Sequence, residues 1–174
     1  MSLNTLEEIA EFIVSNGKGI LAADESNPTC GKRFDSIGVE STETNRRDYR
    51  EMLFRAPGMQ DNIGGVILFD ETIRQSAEDG TPLVELIKNQ GALPGIKVDK
   101  GLAPIDSSPE ETVTQGLDGL DERCKEYFSL GAKFTKWRAV IKISDSIPSD
   151  ECIEANMRAL AKYAKIVQNN NMVP

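Results

Sequence analysis

Four stretches of this sequence run apolar and then end in residues able to do chemistry. Residues 17–26 (GKGILAADES) close on Asp24, Glu25 and Ser26. Residues 64–71 close on Asp70 and Glu71, residues 94–101 carry Lys97, Asp99 and Lys100, and residues 134–142 carry Lys136, Arg138 and Lys142. A parallel α/β protein places its chemistry at such points, because side chains at the carboxyl ends of its strands face the ligand. Strand alternation sharpens the reading. Ile96 and Val98 share one parity, Lys97 and Asp99 the other; Trp137, Ala139 and Ile141 oppose Lys136, Arg138 and Val140; Leu21 and Ala23 oppose Ala22 and Asp24. If the apolar parity faces the helices, Asp24, Lys97, Asp99, Lys136 and Arg138 converge inside.

Inward charges are costly unless they are paired or meet a ligand. Two unit charges 4 Å apart interact by about 4 kcal/mol at an effective dielectric near 20. Such a cluster could grip phosphate and perturb a neighbouring pKa; the competing reading is a set of structural ion pairs within a barrel. Thr29, Lys32 and Arg33 follow the first stretch and could wrap a phosphate at a helix start, or Lys32-Arg33 could be solvated surface. Arg46-Arg47 is open in the same way. Asp70-Glu71 could be an acid–base pair or a solvated strand end. Cys30 has no base nearby in sequence and reads as an inert thiol.

The sequence contains no histidine. Ser-His-Asp and Cys-His catalysis within the chain are excluded, as are His-ligated zinc sites. The three cysteines, Cys30, Cys124 and Cys152, are odd in number and lack metal-type spacing; they read as reduced thiols of a cytosol-like compartment. The net charge of −8 repels nucleic acid and anionic lipid at long range. No apolar run approaches the ~20 residues of a membrane span. The start, residues 1–8, lacks the basic and apolar regions of a secretory signal and the arginines of a transit peptide.

Helical patterns separate the four stretches. Leu3, Leu6, Ile9, Ala10 and Ile13 mark an opening helix. Ser41-Thr42 caps one carrying Tyr49, Leu53 and Phe54. Thr81-Pro82 starts one that Gly91 stops. Ser108-Pro109-Glu110-Glu111 reads as a capping box for a helix with Leu117, Leu120, Cys124 and Phe128 on one face. Ser149 caps a last helix whose apolar face is Ile153, Met157, Leu160, Ala161, Ala164 and Val167, and residues 172–174 look like the start of another strand. With 174 residues the chain can bury one sizeable core. Its repeated strand–helix units predict a parallel sheet: four of the eight units of a (β/α)₈ TIM barrel, which takes roughly 250 residues, or a small doubly wound sheet.

At the segments GKGILAADES (17–26), KRFDSIGVESTETNRRDYR (32–50), GGVILFDET (64–72), GIKVDKG (95–101), TQGLDGLDERC (114–124) and AKFTKWRAVIKI (132–143), the sequence resembles class I, Schiff-base, metal-free fructose-1,6-bisphosphate aldolases. The segments occur in family order over essentially the whole chain. The resemblance implies that residues 1–174 are the N-terminal half of one aldolase-type TIM-barrel domain. It implies a cytoplasmic lyase of glycolysis and gluconeogenesis, which reversibly cleaves fructose 1,6-bisphosphate to dihydroxyacetone phosphate and glyceraldehyde 3-phosphate. Carried over, Asp24, Lys97, Lys136 and Arg138 are catalytic, and Ser26, Thr29, Lys32, Arg33 and Arg46 bind substrate, chiefly its phosphates. Phosphosugars are the implied partners, with a homo-oligomer (dimer or tetramer) at full length and no cofactor, metal, nucleic acid or membrane. The family's Schiff-base lysine and proton-accepting glutamate fall beyond Pro174, so none of these lysines is the nucleophile, and the 174 residues alone are expected to show at most trace turnover. The alternatives are another phosphosugar-handling barrel enzyme or Schiff-base lyase, and a non-catalytic fragment that binds or assembles, with open sheet edges that favour self-association.

Overall fold

The computed structural model describes residues 3–174; Met1 and Ser2, the first two residues of the N-terminal stretch, lie outside the described residues. Helix α1 (Leu6–Val14) opens on a capping box, Thr5 with Glu8, and buries Ile9 and Ile13 as its spacing predicts. A tight turn at Ser15–Gly17 leads into β1 (Gly19–Ala23), followed by α2 (Asn27–Asp35) and α3 (Glu43–Phe54). Thr42 caps α3, its hydroxyl accepting from the Asn45 amide at 3.1 Å. Short α4 (Met59–Asn62) precedes β2 (Ile63–Leu68); short α5 (Asp70–Ile73) and α6 (Leu83–Asn89) precede β3 (Leu93–Lys97). A hairpin, β4 (Leu102–Ile105) and β5 (Ser108–Thr114), comes next, then α7 (Leu120–Ser129), β6 (Phe134–Lys136) and α8 (Asp150–Asn169).

Strands β1, β2, β3 and β6 form one parallel sheet in that order. A doubly wound sheet reverses its strand order at a switch point; this one advances in a single direction, as a barrel does. Val173 continues the progression with a parallel bridge to Phe134, the Thr135 amide donating to its carbonyl at 2.8 Å. Residues 172–174 thus behave as the expected next strand. Val66, Leu68, Ile96 and Val98 pack outward against Leu83, Ile87, Leu120 and Val167 of the helices, all fully buried.

Glycines let the amino-terminal end of the sheet close. A Cβ on Gly64 would sit 1.9 Å from the Ile13 carbonyl oxygen, and one on Gly95 would sit 2.4 Å from the Phe134 ring. Helix α1 therefore rests directly on the β2 backbone, and Phe134 occupies the space vacated at Gly65 and Gly95.

Four expectations need correction. The Ser108–Glu111 capping box is a strand: Thr112, Val113 and Thr114 are β-branched, and β5 pairs antiparallel with β4. Its supposed helix starts only at Leu120, behind a left-handed Gly119, and Phe128 is exposed while Tyr127 is buried. The residue capping α6 is Pro82, not Thr81. On α8, which Ser149 does cap, the buried face is Cys152, Asn156, Ala159, Tyr163 and Val167, leaving Ile153 and Met157 exposed. The fourth parallel strand stops at Lys136, and the chain runs irregularly to α8.

Candidate active site

The carboxyl ends of β1, β3 and β6 deliver their charges into one cavity of about 440 Å³, whose walls include Asp24, Ser26, Lys97, Asp99, Lys136 and Arg138. The charged side chains that the sequence placed on the inward parity line this cavity, although Asp99 and Arg138 lie past the ends of β3 and β6. Lys136 Nζ donates to Asp24 Oδ2 at 2.5 Å, and Lys97 Nζ to Asp99 Oδ2 at 2.8 Å. Asp24 is buried, and the lysine heads are partly open to the cavity. The Arg138 amide lies 3.4 Å from Asp99 Oδ1, while its guanidinium makes no ion pair among the described residues. Lys97 and Lys136 are therefore paired with Asp99 and Asp24, the Arg138 guanidinium is not, and all five side chains border open space.

The cavity's other wall is the start of α2. Ser26 is its N-cap, Pro28 lies in its first turn, and the Ser26 and Thr29 hydroxyls are 3.0 Å apart. A helix start presents unpaired amides and a positive dipole end, a setting that favours an anion. Arg33, on the same helix, also lines the cavity. It is held by the carboxylate of Glu25, whose charge pushes the guanidinium pKa further up.

Glu25 ends the first stretch, but sequence reasoning gave it no role in the site. Its side chain is nearly buried and collects Arg33, the Tyr49 hydroxyl at 3.2 Å and Arg50 at 3.5 Å. Burial, then the Glu25 charge, raises the Tyr49 pKa. The available signal was its place directly after Asp24, where strand alternation ends and two consecutive side chains can both turn toward the site.

Two expected phosphate ligands stand apart from the cavity walls. Lys32 is exposed on α2. Arg46 is buried, donating to both oxygens of Glu71 at 2.8 and 2.6 Å and to the Ser41 carbonyl at 2.5 Å. That fork holds the Glu71 carboxyl below its usual range. Asp70 accepts from the Tyr127 hydroxyl at 2.9 Å and pairs with Arg74, so the Asp70-Glu71 dipeptide is engaged in structure. The three thiols are free and buried; burial raises Cys30 and pushes Cys124 up to about 11.

Chemically, the cavity offers a carboxylate to orient hydroxyls, ammonium groups to meet developing oxyanions, and a cationic helix start for a phosphate. Among the described residues no cluster of cysteines and carboxylates is arranged to hold a metal ion.

The family model described as fructose-bisphosphate aldolase class-I matches residues 5–174. The chain is 54% identical over its whole length to a Xanthomonas campestris protein named probable fructose-bisphosphate aldolase class 1, covering 52% of that relative. It is 55% identical over 170 residues to fructose-bisphosphate aldolase C of Carassius auratus, covering 97% of this chain and 47% of that one. Its fold matches a Plasmodium falciparum fructose-bisphosphate aldolase, crystallised with TRAP and a small-molecule inhibitor, with a TM-score of 0.94 at 51% identity, covering 97% of this chain and 49% of that one. The chain thus spans about half the length of the curated relatives it matches.

Proposed function

The chain belongs to the class-I fructose-bisphosphate aldolase family, and from that footing we propose that it supplies the phosphosugar-gripping half of such a lyase's active site. The reaction is the reversible cleavage of fructose 1,6-bisphosphate to dihydroxyacetone phosphate and glyceraldehyde 3-phosphate. The observation that carries this reading is the convergence of Asp24, Lys97, Asp99, Lys136 and Arg138, from three strands, on a cavity whose far wall is the start of α2.

In this reading the α2 start, with Ser26, Thr29 and Arg33, seats one phosphate. Arg138, whose guanidinium has no ion-pair partner among the described residues, meets charge at the other end. Asp24 orients the sugar hydroxyls and takes part in proton transfer about C3 and C4. Lys136 and Lys97 donate to substrate oxygens that gain charge as the carbinolamine forms and collapses. The nucleophilic amine that forms the iminium at C2 is not among these residues. Lys32 and Arg46 act from outside the cavity, Arg46 by fixing Glu71. At full length the protein works in the cytoplasm as a homo-oligomer, a dimer or tetramer. No helix among the described residues is long and apolar enough to cross a membrane.

Isothermal titration with fructose 1,6-bisphosphate, coupled to a cleavage assay, tests the proposal. The 174-residue chain is expected to bind the bisphosphate more tightly than inorganic phosphate, with at most trace turnover. Equal affinity for the two ligands, or no binding of either, would overturn it.

A further inference from the structure

The segment TQGLDGLDERC has no part in the chemistry above, yet it lies against the site. Gly116, at φ +125°, approaches the backbone of residues 98–100 so closely that a Cβ there would meet the Lys100 nitrogen at 3.0 Å and the Val98 oxygen at 3.1 Å. The Lys100 amide donates to the Gln115 carbonyl at 2.8 Å, and the Gln115 amide to the Gly101 carbonyl at 2.8 Å. Thr114 Oγ1 donates to the Arg138 carbonyl at 2.7 Å. Arg123 completes the clasp, its Nη1 donating to the Val98 carbonyl at 3.0 Å and its Nη2 to the Gly116 carbonyl at 2.5 Å.

The same device recurs at β1. Arg50 on α3 is fully buried; its Nη2 donates to the Glu25 carbonyl at 2.6 Å and its Nε to the Ala23 carbonyl at 3.4 Å. Asp24 lies between those two carbonyls, as Val98 lies between Lys97 and Asp99. The need is physical. Beyond the carboxyl end of a parallel strand, carbonyls leave the ladder while still shielded from water, and each requires a donor. A guanidinium offers five donors in a rigid planar fork, whereas a lysine offers one compact point charge.

We propose that Arg50 and Arg123 are positioning residues, each stapling the main chain beside a charged site residue so that Asp24, Lys97 and Asp99 enter the cavity at a fixed height. Arg123 governs the β3 side alone; Arg50 governs the β1 side, from which Ser26 and α2 follow. The proposal rests on the phosphosugar reading for its ligand, and its test separates the two.

The test titrates wild-type chain, Arg123→Lys and Arg50→Lys with inorganic phosphate and with fructose 1,6-bisphosphate, and follows amide hydrogen exchange and thermal melting in each. Arg123→Lys is expected to keep the phosphate affinity set by the α2 start and to lose bisphosphate affinity by about tenfold or more, since small displacements of positioning groups carry large penalties. Its Lys100 amide should exchange faster. Arg50→Lys should weaken both ligands. Equal losses for both ligands in Arg123→Lys would mark a general loosening of the fold and overturn the proposal, as would wild-type affinities in both variants. If the wild-type chain binds neither ligand, the phosphosugar reading falls and Lys100 exchange decides: acceleration in Arg123→Lys supports the staple, and unchanged exchange refutes it. Should Arg123→Lys fail to fold, Arg50→Lys carries the same decision through exchange next to Asp24.

Discussion

Lys136 Nζ reaches Asp24 Oδ2 at 2.5 Å, joining residues 112 positions apart on the two outermost of the four parallel strands. In a flat sheet those strands would stand about 14 Å apart, three spacings of ~4.8 Å. The contact therefore requires the sheet to curl, and it records barrel curvature in a single bond. Asp24→Asn keeps the shape and removes the charge. It should destabilise the chain by about 1–2 kcal/mol, less than a fully buried pair would cost because Lys136 is partly exposed. Urea unfolding measures this, and an unchanged midpoint would show that the pair adds nothing to stability.

Arg33 and Arg46 should separate cleanly. Arg33→Ala is expected to weaken phosphate binding with little change in stability, because its side chain is largely exposed at the cavity. Arg46→Ala should leave phosphate affinity intact and lower stability by about 2 kcal/mol, since it strands Glu71 without its fork. Parallel titration and urea unfolding of the two variants check the assignment; weaker phosphate binding in Arg46→Ala would return that residue to the ligand.

Glu71 also makes a statement about acid. Its folded-state pKa lies below the ordinary 4.5, chiefly through the Arg46 hydrogen bond. A depressed carboxylate contributes its stabilisation in full above the unfolded value and loses it as pH falls through the folded one. Unfolding midpoints measured downward from pH 5 should therefore decline less steeply in Glu71→Gln than in the wild type. Identical slopes would mean that another carboxylate governs the acid limb.

The column of glycines under the sheet predicts a different defect. Gly95→Ala pushes a methyl group into the Phe134 ring and should cost about 1–3 kcal/mol, the range for overpacked cores. Adding Phe134→Leu should recover part of that loss, because the two positions share one space. A double-mutant cycle with no coupling would contradict the contact.

The thiols should be silent in the native protein. All three are buried, and Cys124 is pushed up to about 11 by its surroundings. Ellman's reagent near pH 8 is expected to label none of them until denaturant is added; rapid labelling of the folded chain would contradict this burial.

Much of the fold could be read beforehand because period and caps agreed. Thr42 and Ser149 each precede an amphipathic run, and each caps the helix that follows. The lining of the cavity was legible because alternation fixes side-chain direction within a strand without any tertiary knowledge: Lys97 and Lys136 fell on the inward parity, and Asp24 and Arg138, just past the strand ends, line the same cavity. Ser108–Glu111 misled because a capping box and an edge strand both accept Ser, Pro and Glu, and only the pairing partner, β4, decides between them. The α8 face was displaced by one residue because Cys152, Asn156 and Tyr163 outweigh Ile153 and Met157 through polar contacts, such as Asn156 to the Thr112 carbonyl at 3.0 Å. Arg46, Arg50 and Arg123 were opaque for one shared reason: a guanidinium's partner is a tertiary fact, and local sequence cannot distinguish a ligand from a carbonyl.

The glycine contacts with Ile13 and Phe134 sit at one end of the strands, and the charged cavity sits at the other. Damage is therefore sorted by height. Errors near the strand beginnings surface as poor yield or early melting, whereas errors near the strand endings fall first on the mouth and only modestly on the molecule beneath it. A saturation library scored separately for abundance and for ligand capture would resolve into two bands, one above the other, and the border between them would trace the middle of the sheet.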